Sequence, residues 1–252
     1  MTNYTNVDYA KITTGDRNPI KRLLQSNRLN DGLRILSDLL PDFSGTILDF
    51  GAGNGILCQR IREKLPKAQL VCYEPVGNLR KQAHDLLAGM SNIRIVSNLD
   101  GYSPATFDFI FCLEVFEHLP LQQTLDALAT MKQLLKPDGK LIIGVPNEIF
   151  LPALIKGTFR MRRRYGADDA RIGNVLRAGI GFPPKDRPVV DFGGYPYYLR
   201  HLGFDYRRFR KILSQYFSIS QTYGSPNPKL PLGVNFEVYF VVKKLLKYRI
   251  SL

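Results

Sequence analysis

The sequence predicts an α/β fold, a doubly wound parallel sheet with helices on both faces, and three observations carry that expectation. Short apolar runs alternate with stretches of helical periodicity from Thr46 to Val145. The runs are apolar almost throughout, as strands buried on both faces are, instead of alternating with polar residues. A glycine-rich turn, Gly51 to Gly55, follows the first run and leads straight into a helical stretch. Right-handed crossovers between parallel strands then leave the doubly wound arrangement as the expected topology.

Each element can be justified in turn. Residues 1–18 are polar and expected to be loosely held. From Ile20 to Leu40 a helical stripe recurs at Leu29, Leu33, Leu36 and Leu40, and Pro41 stops it. Thr46 to Phe50 reads as the first strand and Ile56 to Leu65 as a helix ended by Pro66. Ala68 to Tyr73 is a second strand, followed by a helix marked by Leu79, Ala83, Leu86 and Leu87. Ile93 to Val96 and Phe107 to Leu113 are the third and fourth strands. A stripe of Leu121, Leu125, Leu128, Met131 and Leu135 marks the next helix, and Pro137-Asp138-Gly139 a turn into a fifth strand, Lys140 to Val145.

After Asn147 the pattern breaks. A helix over Ile149 to Arg164 is followed by Pro- and Gly-rich stretches such as Gly181-Phe182-Pro183-Pro184 and Gly193-Gly194-Tyr195-Pro196. Regularity returns at Asp205, with Tyr206, Phe209, Leu213 and Tyr216 on one helix face and two further strands, Phe217 to Thr222 and Phe236 to Val242. The expected organisation is an N-terminal helical segment (1–44), a nucleotide-cofactor core (45–148), a substrate-side insertion (149–204), and a C-terminal helix with the final two strands (205–252).

Composition bounds the function. Hydrophobic residues make up 44% and charged residues 23%, which excludes wholesale disorder. No apolar run reaches the length of a membrane-spanning helix. Three scattered cysteines and three histidines lack metal-ligand spacing, so no metal site is expected. The odd cysteine count and the absence of a signal-peptide layout predict a reducing, cytoplasmic setting. Charge is the informative quantity. Residues 1–150 carry 16 basic and 16 acidic groups, whereas residues 151–252 carry 19 and 6, so the whole excess of +13 lies in the last two fifths. A neutral part joined to a basic part points to an anionic acceptor or partner, against the plainer reading of a solvated basic surface.

The strongest local signal is Ile47-Leu48-Asp49-Phe50-Gly51-Ala52-Gly53-Asn54-Gly55, between a buried strand and a helix. Glycines there permit positive φ and close approach of backbone to a ligand, next to the free N–H groups of a helix start. A dinucleotide fingerprint spaces its glycines G-x-G-x-x-G; Ile56 stands where its third glycine would be, and the spacing is G-x-G-x-G. The loop resembles the first motif of class I S-adenosylmethionine (SAM) methyltransferases. Val71-Cys72-Tyr73-Glu74-Pro75 supplies the acid at the end of the second strand. Phe107 to Leu119, containing Leu113-Glu114-Val115-Phe116-Glu117-His118, and Leu134 to Ile143 resemble the fourth-strand segment and following turn of the ubiquinone-biosynthesis-type branch.

The resemblance, which covers about residues 45–147, implies a Rossmann-like sheet of seven strands with the last antiparallel. It implies SAM as cofactor. Gly51, Ala52, Gly53 and Gly55 would line the methionine moiety, Asp49 would orient the loop or reach the amino group through water, Glu74 would hold the ribose and Pro75 would pack near the adenine. Asn98, Leu99 or Asp100 would stand by the adenine, and Leu113 would offer its backbone. His118 is either a catalytic base or a local scaffold, and His201 either borders the pocket or caps and packs a helix. Tyr195, Tyr197 and Tyr198 either line an acceptor pocket or pack the insertion down. Arg162 and Arg163 sit in the densest basic segment and are expected to meet the acceptor. The expected reaction is methyl transfer to a small or lipid-linked anionic molecule; RNA methylation and cofactor binding without turnover are the alternatives. The tail from Lys243 to Ile250 mixes cations with apolar residues and suits peripheral contact with an anionic membrane, or a helix end.

Overall fold

The computed structural model describes residues 27–245; the loosely held start, the first part of the N-terminal stripe and the end of the tail, residues 1–26 and 246–252, lie outside the described residues. In chain order the regular elements are β1 (Thr46–Phe50), α1 (Ile56–Lys64), β2 (Gln69–Tyr73), α2 (Gly77–Leu86), β3 (Ile93–Val96), β4 (Phe107–Leu113), α3 (Leu121–Leu134) and β5 (Leu135–Pro146). Then come α4 (Phe150–Arg164), α5 (Ile172–Gly179), β6 (Val189–Phe192), β7 (Tyr195–Tyr198), α6 (Tyr206–Tyr216), β8 (Phe217–Ser225) and β9 (Glu237–Lys244). Seven strands form one mixed sheet in the order β3-β2-β1-β4-β5-β9-β8. β9 runs antiparallel to both β5 and β8, so the last strand is reversed as expected.

The apolar strands are buried on both faces. Along β1, Ile47 joins the core under α1, whereas Leu48 joins the core under α3 and α6. Ile110 and Phe111 divide in the same way along β4, as do Ile143 and Ile142 along β5. Period-2 alternation therefore operates, but both faces are dry, so it leaves no polar trace in the sequence. Leu33 and Leu36 of the N-terminal helical stretch close one face together with Leu57 and Ile61 of α1. Leu128 and Met131 of α3 and Phe209 and Leu213 of α6 close the other. The Asp205 carboxylate caps α6 by accepting from Arg207 N–H at 2.9 Å.

Several expectations change. Leu40 is 70% exposed because the N-terminal helix tightens into a 3-10 turn over Leu33–Asp38 and ends there, with Leu39 extended, so Leu40 lies beyond the helix. Leu121 is 61% exposed at the first turn of α3, and the buried face is completed by Thr124 and Ala127 instead. Leu135 opens β5 rather than ending α3, and Pro137-Asp138-Gly139 lies within the strand, opposite the register shift between Phe107 and Phe109. The Pro- and Gly-rich part of the insertion contains a hairpin: β6 and β7 pair antiparallel around Gly193 and Gly194, whose φ angles are 64° and 89°. Lys243 and Lys244 belong to β9, so the expected tail helix does not include them.

Leu128 is wholly buried between α3 and the sheet. Leu128→Ala is expected to cost about 2–5 kcal/mol by loss of burial and residual cavity. Urea unfolding should show a lower midpoint with an unchanged slope; a loss below about 1 kcal/mol would mean that the helix settles onto the sheet without its largest anchor.

Candidate functional site

The loops after β1, β2 and β4 meet at the carboxyl edge of the sheet, where the strand order reverses between β1 and β4. Gly51, Gly53 and Gly55 have φ of 75°, 56° and 83°, conformations that favour glycine. Their surroundings separate their roles. A Cβ on Gly51 would stand 2.6 Å from Val115 Cγ2, and one on Gly55 2.9 Å from Leu87 Cδ1, so both are packed against protein. Gly51 and Gly53 both line two cavities, and the Gly53 N–H donates to Glu74 Oε2 at 2.8 Å. Glu74 Oε1 accepts from Val76 N–H at 2.8 Å. Burial raises the Glu74 carboxyl to about 7, against these two amides and Arg80, which favour its charge.

The larger cavity measures about 410 Å³ and the smaller about 120 Å³, and the larger falls in the range of small-molecule sites. Both are lined by Gly51, Gly53 and Glu114. Glu74, Pro75, Asn98, Leu99 and Asp100 line the larger cavity. Asp49, Ala52 and Leu113 line the smaller; Gly55 lines neither and caps α1. Asp49 is buried, accepts from Cys58 Sγ at 3.6 Å, and is raised by burial to about 7.

Residues that the sequence reading did not single out complete the smaller cavity. Arg28 lies 3.0 Å from Glu114 and also pairs with Glu237, while Tyr239 donates its hydroxyl hydrogen to Arg28 O at 2.8 Å. Glu114 adopts a φ of 57°, and burial holds its carboxyl well above the usual range despite Arg28. The partners come from opposite ends of the chain, so no local pattern announces them.

At the far wall stands a group from the 3-10 turn Phe116–His118 and the insertion. His118 lines the larger cavity, with Nδ1 donating to Tyr198 O at 2.7 Å and its ring stacked on Tyr197 at 4.4 Å. Burial lowers its pKa to about 4, so its free nitrogen Nε2 is unprotonated at neutral pH. The His201 ring stands edge-on at 4.7 Å, and its pKa is also lowered by burial and by His118. Glu117 is wholly buried with neither carboxylate oxygen hydrogen-bonded, and burial raises it to about 8. Arg187 donates to the carbonyls of Glu117 and Arg200 and lies over the Tyr198 ring at 4.1 Å.

The hairpin roofs the larger cavity with Phe192, Tyr195, Pro196 and Tyr197. Tyr195 is therefore at the cavity, whereas Tyr198 reaches the site only through its carbonyl. Arg162 and Arg163 are exposed on the last turn of α4 and line neither cavity. Among the described residues, no lysine or arginine lines the larger cavity.

The chain matches the family model described as a methyltransferase domain over residues 21–178. It is 28% identical over 164 residues to the ubiquinone biosynthesis O-methyltransferase of Xylella fastidiosa strain 9a5c, covering 61% of this chain and 65% of that one. It is 28% identical over 146 residues to the ribosomal RNA large subunit methyltransferase G of Vibrio parahaemolyticus, covering 52% of this chain and 37% of that one. The chain spans about half the length of the curated relatives it matches. A SAM-dependent methyltransferase from Aquifex aeolicus superposes with a TM-score of 0.58 at 15% identity, over 95% of this chain and 100% of that one. A 1,6-didemethyltoxoflavin-N1-methyltransferase from Burkholderia thailandensis, with bound 1,6-didemethyltoxoflavin and S-adenosylhomocysteine, superposes with a TM-score of 0.56 at 17% identity, over 94% and 85%. These two structures are likenesses of fold.

The shifted groups make stability depend on pH in a stated direction. Asp49, Glu74 and Glu117 have folded values of about 7, 7 and 8, raised from 3.8, 4.5 and 4.5. A raised carboxyl contributes stability that is fully present below its unfolded value and is lost as pH rises through the folded value. His118, lowered from 6.5 to about 4, acts oppositely, but only below pH 6.5. Between pH 6.5 and 8 the carboxyls act alone, and the ligand-free protein should lose stability as pH rises. Urea melts at the two ends of that window check it, with a shallower dependence expected for Glu117→Gln; a rise in stability across the window would contradict the assignment.

Proposed function

The chain belongs to the methyltransferase-domain family, and from that premise we propose that it transfers a methyl group from S-adenosylmethionine to a small or lipid-linked acceptor whose anionic part meets the insertion. The observation that carries the cofactor half is the pair of cavities joined at Gly51, Gly53 and Glu114. Each Glu74 oxygen accepts one amide and keeps a second lone pair, enough for two ribose hydroxyls. Pro75, Val76, Leu79 and Leu99 offer apolar surface to an adenine. Asp49 and Glu114 make the smaller cavity acidic, and Arg28, the one cation that lines it among the described residues, is already engaged by Glu114 and Glu237. That suits an ammonium and a sulfonium and disfavours a diphosphate.

Bound there, SAM supplies an activated methyl group with a neutral thioether as leaving group. The chain's own work is to hold and align. The roof of Phe192, Tyr195 and Tyr197 excludes water from the acceptor side. His118 presents an unprotonated Nε2 there, fixed by its bond to Tyr198. With its pKa near 4 it accepts a hydrogen bond well and a whole proton poorly. The acceptor's reacting end is therefore uncharged and apolar or aromatic, in keeping with a cavity wall that carries no cation.

The lipid-linked reading rests on the outer face of the insertion. Phe159, Ile172, Leu176, Ile180 and Phe182 are 55–70% exposed on α4, α5 and the turn after them. Arg162, Arg163 and Arg177 are exposed on the same helices. Large exposed apolar side chains beside cations are the composition of a surface that meets anionic lipid.

Two measurements test this. SAM and S-adenosylhomocysteine should each raise the melting temperature by ligand linkage, NAD should not, and Gly53→Val should abolish the rise. Stabilisation by NAD, or a full response in the variant, would remove the cofactor assignment. Radiolabelled SAM incubated with separated lipid and RNA extracts should label the lipid fraction, and Arg162→Ser with Arg163→Ser should reduce that labelling several-fold while leaving SAM affinity unchanged. Label confined to RNA would favour the nucleic-acid alternative instead.

A further inference from the structure

The crossover from β3 to β4 differs from its neighbours. β1, β2 and β4 are each followed by a helix, whereas residues 97–106 form none, although connections between parallel strands are usually helical. β3 is also the edge of the sheet. This bare corner holds a further cavity of about 370 Å³, lined by Arg80 and His84 of α2, Arg94 of β3, and Asn98 and Tyr102 of the crossover, among others. We propose that Arg80, His84 and Arg94 bind a small phosphate-bearing anion in this cavity, and that the anion acts on the cofactor site through Arg80.

Charge sets this cavity apart from the larger one. Among the described residues it is lined by two arginines and a histidine and by no carboxylate. The larger cavity is lined by Glu74, Asp100, Glu114 and Asp126 and by no arginine or lysine. An anion turned away from the one is drawn to the other. Arg80 is half-buried and its guanidinium is fixed, because Nη1 donates to Glu74 O and to Pro75 O, each at 2.9 Å. Its Nη2 and Nε donors are left over. A guanidinium held from behind, with donors to spare, is prepared for the oxygens of a phosphate. Tyr102 supplies a second orphan: its hydroxyl oxygen is buried without a hydrogen-bond partner among the described residues, and a ligand oxygen in the cavity would give it one.

The lining selects the class of ligand. Two guanidinium forks and an imidazole match an anion of more than one negative charge, and the volume admits a diphosphate or a small phosphate ester. Arg80 links such an anion to the cofactor. Its Nη1 holds the backbone of Glu74 and Pro75, both of which line the larger cavity. Its charge also favours the ionised form of Glu74, against the effect of burial. An anion on Arg80 offsets that charge, so Glu74 accepts the ribose hydroxyls less well. The coupling is reciprocal: anion and SAM each weaken the other. It rests on the methyl-transfer reading; binding of the anion does not.

The test uses the full chain in phosphate-free buffer, titrated with diphosphate by calorimetry. One ion per chain is expected. Arg94→Ser should weaken binding about tenfold, and Arg94→Ser with His84→Gln should weaken it further. Both variants should keep the SAM-induced rise in melting temperature, which shows an intact fold; if the double variant does not fold, the single one decides. Saturating diphosphate should weaken SAM binding several-fold in the native chain and not in the variants. No binding of diphosphate, even where a short single-stranded RNA binds, overturns the site, and so does binding unaltered in the variants. Diphosphate binding with unchanged SAM affinity overturns the coupling. Diphosphate binding without any response to SAM would sink the methyl-transfer reading and leave the anion site standing; a response to SAM without diphosphate binding would do the reverse.

Discussion

Much of the site hangs on one carboxylate. Glu74 accepts an amide from the loop after β1 and another from the start of α2, so a single buried side chain ties together the two loops that border the cleft. Burial alone would favour its neutral form, and the two N–H donors oppose that. The tie also explains the division of labour among the glycines. Gly51 is pressed under Val115 and Gly55 under Ala83 and Leu87, so the loop is clamped at both ends, and Gly51 and Gly53 face the cavities. Because Gly51 and Ala52 N–H both donate to Tyr73 O, the loop is joined to β2 by backbone as well as by side chain.

The insertion is built on a different principle. Glu148 is buried beneath Lys156 and Arg160, and Asp169 takes Arg160, Arg164 and Arg200 around one carboxylate. Part of the basic density of the second half is therefore internal, spent on holding α4 to the segments after it. The cations that remain at the surface, such as Arg162 and Arg163, stand away from the cavities. A charge run in a sequence thus mixes two populations, and only the fold separates them.

The strands were legible because both faces of the sheet are dry: every residue from Ile47 to Phe50 is buried, so the run itself announces the strand. Residues at strand ends were legible for the same reason, since Glu74, Pro75, Asn98 and Leu99 follow their strands at once and so fall beside the cleft. What failed was rotation and range. Periodicity gave Leu40 and Leu121 a place in the core that the local helix geometry denied them. Arg28 and Glu237 pair across a separation of 209 residues, which no motif spans. Glu117, His118 and His201 meet in space although only two of the three are neighbours in sequence. The β6–β7 hairpin was hidden by Pro196 and the double glycine, which read as loop although they serve an edge strand and its turn.

That hairpin is a sheet of two strands with no third partner among the described residues, an arrangement that is marginal in isolation. Its order is borrowed from what it covers: Gly193 sits where a Cβ would stand 2.9 Å from Val76, Tyr197 lies on His118, and the Tyr198 carbonyl holds that imidazole. The roof and the site beneath it therefore share a single account of free energy. Whatever fills the cavity enlarges the apolar surface on which the hairpin rests, and whatever loosens the hairpin frees the imidazole. Occupancy and closure are in this way two readings of one equilibrium.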